Sequence, residues 1–136
     1  MKQFIFLISL LLFFNACNDK STVTKYDKSV KQLNCLRLVV FPPDKLITDT
    51  LTKLYNFDEA CAYELQVSKK GGIVCNSNQN AGRKALSNFP SGYIRMDVYK
   101  NHRPLYSYYK DLTSKVSKKE IVTAFNRLKK DLLKEQ

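Results

Sequence analysis

The chemistry open to this 136-residue chain is set by four cysteines, one histidine and a small stock of carboxylates. His102 is the only imidazole, and it stands between Asn101 and Arg103 in a predicted turn, with no nucleophile tied to it by a recognisable spacing. The carboxylates are scattered. Asp44 and Glu120 are placed to cap helices, Asp58-Glu59 closes a helical stretch, and Asp97 faces outward beside Arg95 in an alternating run, so no pair is set up for acid–base hydrolysis. Gly71-Gly72 suits a turn rather than a phosphate-binding loop. Cys35, Cys61 and Cys75 lack the Cys-x-x-Cys knuckle of a zinc site. The expectation is a protein with no catalytic residue, no metal and no cofactor.

Cys17 is different in kind. A short positive start, Met1-Lys2-Gln3, leads into a run from Phe4 to Phe14 that is apolar apart from Ser9, and Asn15-Ala16 then precede the thiol. The run is 11 residues long, well short of the ~20 that a membrane-spanning helix requires. Phe14-Asn15-Ala16-Cys17 resembles the lipobox of bacterial lipoproteins: Ala16 and Cys17 match, while Phe14 and Asn15 stand where leucine and a smaller residue are commoner. That resemblance implies a type II signal peptide over 1–16, cleavage before Cys17, and a cysteine acylated on its thiol and its new amino group, palmitate being the usual amide-linked chain. Two or three acyl chains hold a protein stably on a bilayer, since each buried methylene contributes about 0.8 kcal/mol. The implied location is the bacterial cell envelope, facing the periplasm, with the outer membrane as the default. In that oxidising compartment two of the three remaining cysteines should pair, and Cys35–Cys61 and Cys61–Cys75 rank first.

Positioning any functional group falls to the elements that follow. Residues 17–33 carry scattered charge without an apolar period and read as a flexible tether, with a reach of roughly 20 Å. A single domain is expected over 34–136. Cys35 to Phe41 is β-branched and apolar, a buried strand stopped by Pro42-Pro43. Asp44 then caps a helix with Ile47, Leu51, Leu54 and Tyr55 at helical spacing, ending near Phe57. Cys61 to Val67 alternates, and Lys69-Lys70-Gly71-Gly72 predicts a turn into a partner strand at Ile73-Val74-Cys75. Residues 81–89 read as a short helix. Tyr93 to Tyr99 and Pro104 to Tyr109 form a hairpin about Lys100–Arg103, and if Val98 faces Leu105, then Ile94, Met96, Val98, Leu105 and Tyr109 point to the core. Ser117-Lys-Lys-Glu120 is a capping box opening a long amphipathic helix on Ile121, Phe125, Leu128 and Leu132.

The expected fold is α+β: a mainly antiparallel sheet of four to five strands with two to three helices on one face. This element order is similar to the small α/β domains of envelope proteins such as the curli-secretion lipoprotein and the first domain of the Tol translocation protein. That likeness bears on fold alone.

Binding chemistry remains. In the register above, Tyr93, Arg95, Tyr99, Tyr106, Tyr108 and Lys110 share the face opposite the core, with Lys100 and Arg103 at the tip, and tyrosine with arginine is the composition of binding hot spots. The formal charge of +11 loses only Lys2 with the leader and favours acidic partners. Export disfavours nucleic acid and leaves anionic lipid, lipopolysaccharide, cell-wall polymer or an acidic protein. The sequence therefore points first to a non-catalytic, lipid-anchored periplasmic binding or assembly module for an envelope complex. A binder of anionic lipids or glycans comes second, and a cell-wall hydrolase or hydrolase inhibitor third.

Overall fold

Ile94, Met96 and Val98 alternate with Tyr93, Arg95, Asp97 and Tyr99, and this period of two makes one strand the centre of the architecture. The computed structural model describes residues 20–73 and 90–134. Along the chain these form β1 (Ser21–Lys25), β2 (Arg37–Val40), α1 (Lys45–Leu54), β3 (Tyr63–Lys70), β4 (Gly92–Lys100), β5 (Arg103–Leu112) and α2 (Lys118–Leu132). The strands make one five-stranded sheet in the order β1-β5-β4-β3-β2. The leader, Cys17, Cys75 and the helix expected over 81–89 lie outside the described residues.

Local chemistry starts each helix. The Asp44 carboxylate accepts the Ile47 N–H at 3.0 Å to open α1. The Glu120 carboxylate accepts the Ser117 N–H at 3.1 Å and the Ser117 hydroxyl to open α2. Both helices lie on one face of the sheet. Ile47 and Leu51 of α1, with Ile121, Phe125, Leu128 and Leu132 of α2, close over Leu65, Val67, Ile94, Met96 and Val98 in one buried cluster. Tyr55, Phe57 and Phe125 meet edge-on or tilted at its rim, with ring centroids 5.0–6.0 Å apart. Cys35 is bonded to Cys61, one of the two pairings expected.

Several expectations require correction. The sheet is mixed: β2 and β3 are parallel, while the other pairings are antiparallel. A helix between two neighbouring strands returns the chain to the end from which it began, and α1 does this between β2 and β3. Among the described residues there are two helices. The strand at Arg37–Val40 is half-buried at a sheet edge, not buried within it. β3 runs on through Lys69 and Lys70, where a turn was expected, and the partner strand expected at Ile73-Val74-Cys75 lies mostly outside the described residues.

The segment 17–33 is not a free tether along its length. Ser21–Lys25 pairs with β5 from Ser21↔Lys110 to Lys25↔Tyr106, and Leu33 is buried, its N–H donating to the Leu132 carbonyl at 2.7 Å. The domain therefore begins before residue 34. Thr22, Val23 and Thr24 carried a β-branched signal, but polar residues are also what an edge strand needs, and scattered charge concealed it.

The late hairpin folds where expected, with Asn101 and His102 both at positive φ in a two-residue turn. Its register differs. Val98 lies opposite Tyr106 and Tyr99 opposite Pro104, so β5 holds one extra residue, Leu105, at a bulge. One extra residue inverts the rest of the strand. Tyr106 and Tyr108 are core residues at 0% and 2% exposure, and Lys110 is buried on the same strand at 7%. These three leave the predicted binding face, and Tyr109 joins it.

Candidate binding face

Because both helices pack on the side of Ile94, Met96 and Val98, the opposite side of the sheet carries no helix among the described residues. The register assembles its surface in rows. Tyr93 stands between Lys70 and Asp111, Arg95 between Ser68 and Tyr109, Asp97 between Gln66 and Ser107, and Tyr99 beside Glu64, which in turn neighbours Arg37. Four strands thus contribute to one continuous polar and aromatic face.

Its two arginines are each engaged by a carboxylate. Arg95 Nε lies 2.7 Å from Asp97 Oδ2, with the arginine side chain 46% exposed and the aspartate 11%. That hydrogen bond raises the Arg95 pKa. Arg37 pairs with Glu64, whose other oxygen accepts from Gln66 Nε2 at 2.6 Å. The Gln66 hydrogen bond first, and Arg37 after it, hold the Glu64 carboxyl below its ordinary range against the effect of burial. The Tyr93 and Tyr109 rings lie 5.5 Å apart, tilted by 31°. Tyr109 donates to Asp111 at 2.7 Å, and chiefly for that reason its pKa is pushed up to about 12. Burial, then Asp97, raises that of Tyr99.

Two polar atoms on this face have no hydrogen-bond partner although they are buried: Asp97 Oδ1 and Arg37 Nε. A buried polar atom left unpaired costs about 1–3 kcal/mol. Toward the hairpin tip the face deepens into a hollow of about 460 Å³ lined by Arg37, Glu59, Cys61, Glu64, Tyr99 and His102. The Cys35–Cys61 bond fixes one wall, helped by the Asp58 N–H, which donates to the Leu36 carbonyl at 2.9 Å.

Of the eight residues proposed from sequence, Tyr93, Arg95 and Tyr99 lie together here. Lys100 and Arg103 line a different hollow, of about 810 Å³, between the hairpin tip and the 27–33 segment. Lys100 Nζ lies over the Tyr63 ring, 5.1 Å from its centroid. Sequence reasoning missed Tyr109, Arg37, Glu64 and Gln66. The alternation of Glu64 and Gln66 with Leu65 and Val67 was a usable signal; that Arg37 and Glu64 would be neighbours depended on the parallel pairing.

Among the described residues no three His, Cys, Asp or Glu side chains are grouped to hold a metal ion, and no helix is long and apolar enough to cross a membrane. No known protein family, curated protein or solved structure matches this chain.

Proposed function

We propose that the mature chain is a lipoprotein of the bacterial envelope, acylated at Cys17 and exposed to the periplasm on the outer membrane, and that it is a non-catalytic binding or assembly module. It docks a protein of an envelope complex through the open face of its sheet. The observation that carries this reading is the make-up of that face: Tyr93, Tyr99 and Tyr109 half-buried around Arg95, beside two buried polar atoms without partners. Tyrosine and arginine bury large area while retaining polar contacts.

Protein is favoured over an anionic glycan or lipid at this face because its arginines are already matched by Asp97 and Glu64. Charge-driven binding would also weaken steeply with salt, whereas a tyrosine-centred interface would not.

A photo-crosslinking amino acid at position 99 in the lipidated protein, followed by recovery from native membranes, tests the proposal. The expected result is one protein species captured at both low and high salt and lost from a variant that also carries Arg95→Ala and Tyr109→Ala. Capture unchanged by those substitutions, or recovery of glycan and lipid alone, would overturn it.

A further inference from the structure

The pairing of β1 with β5 changes how the domain must sit once Cys17 is acylated. A 16-residue tether would leave it free to tumble. Instead only four steps of chain separate Cys17 from Ser21, the first residue of β1, a span of at most about 14 Å when fully extended. The anchor is thus bound to one end of the sheet.

Register identifies what else lies at that end. Ser21 opposes Lys110, which opposes Ile94, which opposes Lys69. Phe41 extends β2 toward the same level, its N–H donating to the Val67 carbonyl at 3.1 Å, and α1 starts there, with Asp44 bound to Lys69 at 2.7 Å. Ser91 bridges the same end, its N–H bound to the Leu112 carbonyl and its own carbonyl to Ile73 N–H. α2 begins there too, after a five-residue link from Leu112 at the end of β5, while Asp131 at its far end meets Tyr106.

The exposed residues of this end match an anionic membrane surface. Three of the five large apolar side chains exposed among the described residues belong to it: Phe41 at 74%, Leu46 at 40% and Ile73 at 36%. Lys20, Lys45, Lys70, Lys115, Lys118 and Lys119, each near or at the end of an element that reaches this level, are exposed as well. The carboxylates nearby are occupied: Asp44 by Lys69 and the α1 cap, Asp111 by Tyr109, Glu120 by the α2 cap. Lysines occur at the hairpin tip as well. The base alone combines them with exposed Phe41 and a short link to Cys17.

We infer that this end of the sheet docks on the anionic lipid surface of the membrane that holds the acyl chains, with Phe41 inserted at the headgroup boundary and the lysines on lipid phosphates. Apolar insertion and basic attraction reinforce each other, and both act within a Debye length of about 10 Å. The strands then stand along the membrane normal, and the open face is presented sideways, to a partner in or on the same membrane. This inference rests on acylation of Cys17.

The chain contains no tryptophan, so Phe41→Trp introduces a single reporter at an exposed position. The lipidated variant is reconstituted on vesicles of phosphatidylglycerol and phosphatidylcholine, with and without brominated acyl chains, beside Tyr26→Trp near the opposite end. Docking predicts that bromolipid will roughly halve the emission at position 41 and leave position 26 unaffected. Lys118→Glu with Lys119→Glu should diminish the quenching on phosphatidylglycerol vesicles. Vesicle flotation of the same samples reads the anchor separately. Protein that floats with position 41 unquenched would overturn the docked orientation and leave lipidation standing. Protein that does not float would remove the acyl anchor and the orientation with it.

Discussion

Breaking the Cys35–Cys61 bond should strongly destabilise this domain. The bond spans a sequence separation of 26 residues, and confining a loop of that length in the unfolded chain corresponds to about 3.5 kcal/mol at 25 °C. The joined segments also meet in the fold through the Asp58–Leu36 hydrogen bond, and Cys61 N–H donates to the Asp58 carbonyl at 3.0 Å. The folded state thus retains part of this geometry without the bond, and the loss falls mainly on the unfolded side. The comparison is Cys35→Ser, Cys61→Ser against the parent, by equilibrium urea unfolding. With an m-value near 1.5 kcal/mol/M the midpoint should fall by roughly 2 M, and in a domain of this size the melting temperature should fall by roughly 15–25 °C. Cys61 also lines the hollow beside Tyr99 and His102, so crosslinking from position 99 should weaken before the sheet is lost. A loss below about 1 kcal/mol with an unchanged m-value would refute the reasoning, because it would mean that the bond scarcely restricts the unfolded chain.

Three further outcomes follow from packing and charge. Tyr106→Phe removes only the hydroxyl that donates to Asp131 Oδ2 at 3.0 Å from a fully buried ring. It should cost about 1.5 kcal/mol by chemical denaturation, the low end for a charged acceptor because Arg127 and Lys25 still hold the carboxylate. Burial acts to raise the Asp131 pKa, but hydrogen bonds from Arg127 and Tyr106 outweigh it and the net shift is downward. A depressed folded pKa gives stability that is present above the unfolded value of about 4 and lost as pH falls through the folded one; an acid titration of the parent should show this loss, reduced in Asp131→Asn. Gly92→Ala would put a methyl 2.5 Å from the Lys70 carbonyl oxygen on the adjacent strand. Displacing that backbone should cost about 1–3 kcal/mol, measurable as a lowered melting temperature with the disulfide intact.

Legibility in the sequence followed the range of the interaction. Asp44 and the Ser117–Glu120 pair announced both helix starts because a cap is made within a few residues, and Ile121, Phe125, Leu128 and Leu132 announced the buried stripe of α2 because helical period is local. The alternation of β4 gave its core face correctly for the same reason. The face of β5 did not follow. Assigning it required knowing whether an extra residue stands opposite Tyr99, and nothing within Pro104 to Tyr109 specifies that bulge.

On its own, then, the sequence determined the α+β class, the two caps, the late hairpin with its turn at Asn101–His102, and half of the open face: Tyr93, Arg95 and Tyr99. Tertiary structure decided that Ser21–Lys25 closes one edge of the sheet, that β2 lies parallel to β3 on the other, and that Tyr106 and Tyr108 belong to the core while Tyr109 takes a place outside. The physical reason is the same in each case. Caps, turns and periodicity are settled by neighbours along the chain, whereas strand partners and register are settled by which apolar residues can be buried together, and a shift of one residue in β5 exchanges the buried and exposed faces.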